Sequence, residues 1–373
     1  MFAKLVRRSA AIALVVLVLV VPSAAGAQPP DMQLETGPNN RTLRLGDIAS
    51  ANQIAVVFQD ANKSHLRWST DGGSTFTPRH VLRDGLRAKN PRVDACGNKV
   101  WVASEWQSDV NQKVGVDLFD TIADTTVRFP VSQGSKPDVA CFGGVVAVTW
   151  WNADHAFVRF YNGPCIHSCV AAGRDLGPAD FDSPARIAAT DDGFAVSWLT
   201  ASLNVQHFDV TTNGPGAPTV VDGPVVSMLA GQDVRQPVVA GDGSRVIVAY
   251  SKLGQTHMRI SENYGATYGP RIIVSTFCRD CPEGGSQPMG IDARNGDILV
   301  EVLAAGGAPA DYEATGFLTH NDGATWSKTP SNRGQKFGVL RGNTLAEAWD
   351  DSLARGFPYP SRPQVIMFHI RNI

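Results

Sequence analysis

The stretch Trp68-Ser69-Thr70-Asp71-Gly72-Gly73-Ser74-Thr75-Phe76 decides how this chain is read. Its pattern is Ser-x-Asp-x-Gly-x-Thr-aromatic. A strand runs in, Asp and Gly supply a turn with positive φ, and a β-branched residue and an aromatic run out. The Ser and Asp side chains can bond the turn's own backbone. The final aromatic can fold beneath the turn. Nothing in such a stretch is catalytic, so it is a fold signal. Two looser copies follow. Ser261-Glu262-Asn263-Tyr264-Gly265-Ala266-Thr267-Tyr268 has Asn for Asp. Thr319-His320-Asn321-Asp322-Gly323-Ala324-Thr325-Trp326 has Thr for Ser and reads as if its acid were shifted by one.

The copies sit inside a longer period. Tight turns at Asn52, Asn98, Gly143, Asp192, Asp242, Asn295 and Gly342 recur every 45 to 53 residues. Each precedes a β-rich run, and six of the seven runs end on Phe, Tyr or Trp. An X-Pro step stands about seven residues before five of the turns: Asn90-Pro91, Lys136-Pro137, Ser183-Pro184, Gln236-Pro237 and Gln287-Pro288. Proline can begin a strand that needs no donor there. Four strands per period is the signature of a propeller blade. The expectation is an all-β, seven-bladed propeller. Its last unit has three strands, Phe337–Leu340, Leu345–Trp349 and Val365–Ile370, and the N-terminal stretch around Met32–Glu35 supplies the fourth. A pair of β-sandwiches is the rival reading, and the regular interval argues against it.

The three stretches near 69–76, 261–268 and 319–326 resemble the Asp-box (BNR) repeat of the sialidase-like β-propellers. The resemblance covers nearly the whole chain after residue 27. It implies a ring of blades with ligands at the axial mouth, and six blades as the alternative count. It also implies a sialidase site: a Tyr nucleophile paired with Glu, an Asp acid and three Arg for a substrate carboxylate. The family's Phe/Tyr-Arg-Ile-Pro motif is missing, and Leu43-Arg44-Leu45 is the nearest match. Tyr250-Ser251-Lys252-Leu253 looks like the tyrosine segment but falls on a second strand. Arg259 stands two residues before the second box, as a family arginine does. Fold likeness alone does not carry activity.

Residues 1–27 read as a signal peptide: basic Lys4, Arg7 and Arg8, the apolar run Ala10–Val21, and the small-residue site Ala25-Gly26-Ala27. An uncleaved anchor is the alternative. Residues 28–373 then form a single secreted propeller domain, with no further membrane span. Charged residues make up 18% and the net charge is −2, which argues against a nucleic-acid partner. Six cysteines in an exported chain favour three disulfides. Cys96 and Cys141 end equivalent strands of adjacent units; Cys165 pairs with Cys169, and Cys278 with Cys281. Zinc is the competing reading of the two close pairs, but no histidine cluster accompanies them. No metal or cofactor is expected.

The repeat grammar places loops entering first strands, and loops between second and third strands, at one mouth. Arg92, Arg186 and Arg235 enter there, with Trp106 and Trp151 as flat faces for sugar rings. Arginine grips a carboxylate through paired hydrogen bonds. Asp60, Glu105 and Asp350 are the candidate catalytic carboxyls, since glycoside hydrolysis usually needs two. Three functions follow: a monomeric propeller binding a carbohydrate, a cell-surface glycoconjugate or a protein at its mouth; a divergent sialidase-like glycosidase; or a non-catalytic envelope scaffold.

Overall fold

A computed structural model describes residues 31–36, 44–60, 63–83, 88–107, 112–162, 173–180, 184–210, 214–222, 235–252, 254–276, 286–305, 312–333, 336–350 and 365–373. These residues form seven antiparallel sheets. Six are built from consecutive strands. The seventh runs Met32–Thr36, Val365–Asn372, Thr344–Asp350, Lys336–Arg341 from rim to axis, so the N-terminal strand closes the ring. The seven-bladed expectation and the closing strand both hold, and six blades and the sandwich pair are excluded. Residues 1–27, Cys165, Cys169, Cys278 and Cys281 lie outside the described residues.

Apolar side chains pack between neighbouring blades. Val57, Leu66 and Trp68 of blade one meet Val93, Val102 and Phe119 of blade two. Leu34, Phe337 and Phe368 of blade seven meet Ile54 and Phe58 of blade one. A fully buried side chain such as Leu66 contributes roughly 1.5–3 kcal/mol of hydrophobic stabilisation.

The three boxes share one geometry. Ser69 Oγ donates to Asp71 Oδ1 (2.7 Å) and accepts from Gly73 N (2.7 Å), while Asp71 accepts from Thr75 N (2.9 Å) and Thr75 Oγ1 (2.6 Å). Asn263 accepts from Thr267 N (2.9 Å) and Asn321 from Thr325 N (2.9 Å) in the same way. Asn321, not Asp322, therefore takes the place of Asp71, and the third box is unshifted. Asp322 occupies the left-handed position (φ 56°) that Gly72 fills in the first box.

The X-Pro steps also differ from expectation. Pairing slips between Lys89 and Arg92, between Ser135 and Asp138, and between Arg235 and Val238. There the proline lies in a bulge inside the inner strand rather than at its start. Asn90 (φ 49°) and Lys136 (φ 53°) accordingly adopt left-handed backbone.

Arginines tie each rim to the next blade. Arg259 Nη1 donates to Val221 O of the preceding blade (2.7 Å), and Arg67 and Arg159 reach Leu34 O and Val131 O in the same fashion. Arg259 is thus a clamp on the rim of blade four.

Candidate binding site at the axial mouth

Seven inner strands surround an axial channel. Its mouth encloses about 300 Å³ and is lined by Pro91, Pro137, Pro184, Pro237 and Pro288, so the five X-Pro steps frame the opening. A deeper chamber encloses about 460 Å³. Arg92, Arg186, Val238, Met289 and Phe337 line both, which places them at the neck.

One inner-strand position sets the neck's character. It is occupied by Asp47, Arg92, Asp138 and Arg186 in blades one to four, paired with Val57, Ala103, Thr149 and Ser197. In blades five to seven it is Val238, Gly290 and Gly338, paired with Ala249, Glu301 and Glu347. Charge therefore lies on one side of the neck and apolar surface on the other.

Arg92 lies 3.8 Å from Asp47, 3.4 Å from Gly46 O, and 5.2 Å above the Phe337 ring. Arg186 forms no hydrogen bond or ion pair among the described residues. Burial and the nearby Arg92 charge push its guanidinium down to about 10, against the pull of Asp138 and Asp47. Lys136 also lines the mouth, and no carboxylate lines it among the described residues.

Aspartates dominate the chamber below, and many cap inner-strand edges. An inner strand has no neighbour on its axial side, so its outward N–H groups need acceptors. Asp94 accepts from Cys141 N (2.8 Å), Asp138 from Ile187 N (3.0 Å) and Asp292 from Leu340 N (2.6 Å), each in the next blade. Burial pushes Asp94 up to about 7, and Asp47 and Asp292 up to about 6. No group of His, Cys, Asp and Glu suited to a metal is found among the described residues.

The three candidate catalytic carboxyls are not brought together, and none lines the mouth or the chamber. Asp60 pairs with Arg79 (3.3 Å), which also reaches Glu35 of the closing strand (3.7 Å). Glu105 is buried and accepts from Asn90 Nδ2 (2.7 Å), Lys136 N (2.7 Å) and Gln112 Nε2 (2.5 Å). Asp350 is buried and accepts from Leu45 N (3.0 Å), joining blade seven to blade one. Each is committed to holding the ring.

Trp151 is half-buried, and its indole N–H donates to Ala179 O (3.2 Å). The Trp106 ring carries Lys113 Nζ 5.1 Å from its centre. Arg235 opens an inner strand, but its side chain and that of Arg44 lie outside the described residues.

Sequence reasoning missed the partner of Tyr250. Its hydroxyl donates to Asp222 Oδ2 at 2.6 Å, and Lys252 (2.7 Å) and Arg271 (3.2 Å) also bind that carboxylate. Against the desolvation of its burial, the hydrogen bonds from Lys252 and Tyr250 hold Asp222 below the usual carboxylate range. Burial and the Asp222 contact push the Tyr250 hydroxyl well above its ordinary value. A fully buried phenol held in its neutral form is a packing group, not a nucleophile. The 28 residues separating the pair gave no local signal.

The fold has known counterparts. The phage phi92 endosialidase superposes with a TM-score of 0.52 at 9% identity, over 92% of this chain and 69% of that one. The β-propeller domain of the Trilobed protease from Pyrococcus furiosus, described as an open velcro topology, gives 0.53 at 9% identity, over 89% and 97%. The Pyrococcus horikoshii acylaminoacyl peptidase gives 0.53 at 11%, over 91% of this chain and 54% of that one. At these identities the likeness is one of fold. No protein-family model and no curated protein matches the chain.

Proposed function

We propose that this chain is a secreted Asp-box propeller that holds the anionic group of a glycan at its axial mouth without turning it over. The observation that carries the reading is the neck. Arg92 and Arg186 both line it, Lys136 is beside them at the mouth, and Arg186 makes no hydrogen bond or close ion pair among the described residues, feeling Asp138 and Asp47 only through their charge. A guanidinium left in a narrow, proline-walled opening is better solvated by an incoming carboxylate or sulfate than by the protein. The apolar wall of Val238 and Met289 suits the apolar face of a sugar ring. The Cys96–Cys141 disulfide supports an oxidising, extracellular compartment.

A hydrolytic reading has less support, because Asp60, Glu105 and Asp350 already serve as structural acceptors. A glycan array of uronate-containing, sialylated, sulfated and neutral chains, run beside a chromogenic glycoside panel, tests the proposal. Retention of acidic glycans that weakens with salt and is lost in Arg92→Ala is the expected result. Turnover of any glycoside that disappears in Glu105→Ala, or equal retention of neutral glycans, overturns it.

A further inference from the structure

A second polar cluster lies away from the mouth, at the seam between blades six and seven. Glu301 of blade six and Glu347 of blade seven occupy equivalent second-strand positions, 1% and 3% exposed. In blades one to five that position is Val57, Ala103, Thr149, Ser197 or Ala249. Two acidic side chains have entered a layer that is otherwise small and neutral.

Neither neighbouring cation, Lys336 nor Arg371, hydrogen-bonds Glu301 among the described residues. Lys336, 1% exposed, donates from Nζ to Thr329 Oγ1 (2.8 Å) and Pro330 O (3.0 Å), and pairs with Glu347 Oε1 (2.7 Å). Two of its three N–H bonds are thus committed, and the contact with Glu347 Oε1 is an ion pair without hydrogen-bond geometry. Arg371 binds the other Glu347 oxygen. Both Glu301 oxygens are buried without a hydrogen-bond partner. Glycines make the room for them: a Cβ at Gly338 would stand 2.8 Å from Glu301 Oε1, and one at Gly316 2.9 Å. A carboxylate anion in such a place would carry a large desolvation penalty with no donor to offset it.

We propose that Glu301 is held as the neutral acid and that its proton is a pH-sensitive lock on the seam between blades six and seven. Glu347, Lys336 and Arg371 are the charged groups that face it. Burial and the Glu347 charge push the Glu301 carboxyl upward, against the pull of Lys336 and Arg371. The sign follows from linkage. The folded state binds a proton that the unfolded chain releases at ordinary carboxylate pH, so this contribution is complete at acid pH and is lost as pH rises through the folded value.

The test is thermal unfolding of the intact chain from about pH 5 to about pH 9, with Glu301→Gln and Glu347→Gln beside it. The amide of Glu301→Gln reproduces the protonated shape. Its Tm is expected to fall less than that of the native protein toward alkaline pH and to exceed it there. Glu347→Gln frees the Lys336 ammonium for Glu301, so Glu301 ionises and its share of the pH slope disappears. Infrared difference spectra at mildly acid pH are expected to show a carboxylic-acid carbonyl stretch that Glu301→Gln removes. Identical pH slopes in native protein and Glu301→Gln, no such band, or failure of Glu301→Gln to fold would each overturn the proposal.

Discussion

The Glu105 carboxylate accepts the backbone N–H of Lys136 at 2.7 Å, so a side chain of blade two fixes the chain as it enters blade three. Lys136 has φ of 53°, a conformation disfavoured for a residue with a Cβ. The hydrogen bond helps hold it there, and Asn90 and Gln112 complete the same carboxylate. Glu105→Ala leaves donors on three residues unsatisfied and is expected to cost about 2–4 kcal/mol of stability. Chemical denaturation checks this, with glycan affinity of the folded fraction unchanged. A variant of native stability that had lost an activity would return Glu105 to a catalytic role.

The Cys96–Cys141 disulfide closes a sequence separation of 45 residues between two inner strands, with Cα atoms 6.1 Å apart. Constraining the unfolded chain over such a loop is worth about 4 kcal/mol in the chain-entropy account. Cys141 also donates its N–H to Asp94, so the bond and the edge cap secure the same junction. Paired Cys96→Ser and Cys141→Ser changes are expected to lower Tm by several degrees. The native protein should match that variant only when measured in reductant.

Burial raises Asp94 to about 7 and Asp47 and Asp292 to about 6. Raised carboxyls bind protons in the folded state that the unfolded chain has released. Their contribution is therefore full below the ordinary carboxylate range and declines as pH climbs through 6 to 7. Asp94→Asn keeps an acceptor for Cys141 N and removes the titration. The expected result is a flatter Tm-against-pH curve for Asp94→Asn across this window, on top of whatever Glu301 contributes. Parallel curves would show that channel water already solvates the Asp94 anion.

The blade count was legible because each blade repeats the same local problem. A tight turn such as Gly97-Asn98 needs left-handed backbone, and Asn98–Asn52 contact across neighbouring turns echoes the period of 46 residues. Closure by Met32–Thr36 was legible because an unpaired seventh rim would have been an open edge. The site was less legible. Asp94 and Asp292 look like ordinary strand polar residues until the inner edge is seen to lack a partner strand. Lys336 and Glu347 look like surface charges, since their burial depends on the seam and not on neighbours in sequence. Asp60 stood where a catalytic acid was expected, and only the placement of Arg79 and Glu35 reveals it as part of the latch on the closing strand.

Arg186 separates binding from folding most cleanly. Its guanidinium is desolvated, lies close to the Arg92 charge, and has no hydrogen-bond partner among the described residues. Removing it relieves burial cost and the Arg92 repulsion, loses the attraction of Asp138 and Asp47, and breaks no hydrogen bond among the described residues, so Arg186→Ala is expected to change Tm little. If the mouth holds an anion, the same change should weaken acidic-glycan binding by roughly tenfold to a hundredfold, the range of one charge-assisted hydrogen-bond pair. Arg186→Lys keeps the charge without the planar fork and should recover only part of that loss. Arg79→Ala, in the rim latch, serves as the contrast, with lower stability and native affinity. Calorimetric titration with a uronate oligosaccharide and thermal unfolding of the same samples give both quantities. Equal affinity in Arg186→Ala and the native protein would move the binding site off the axis.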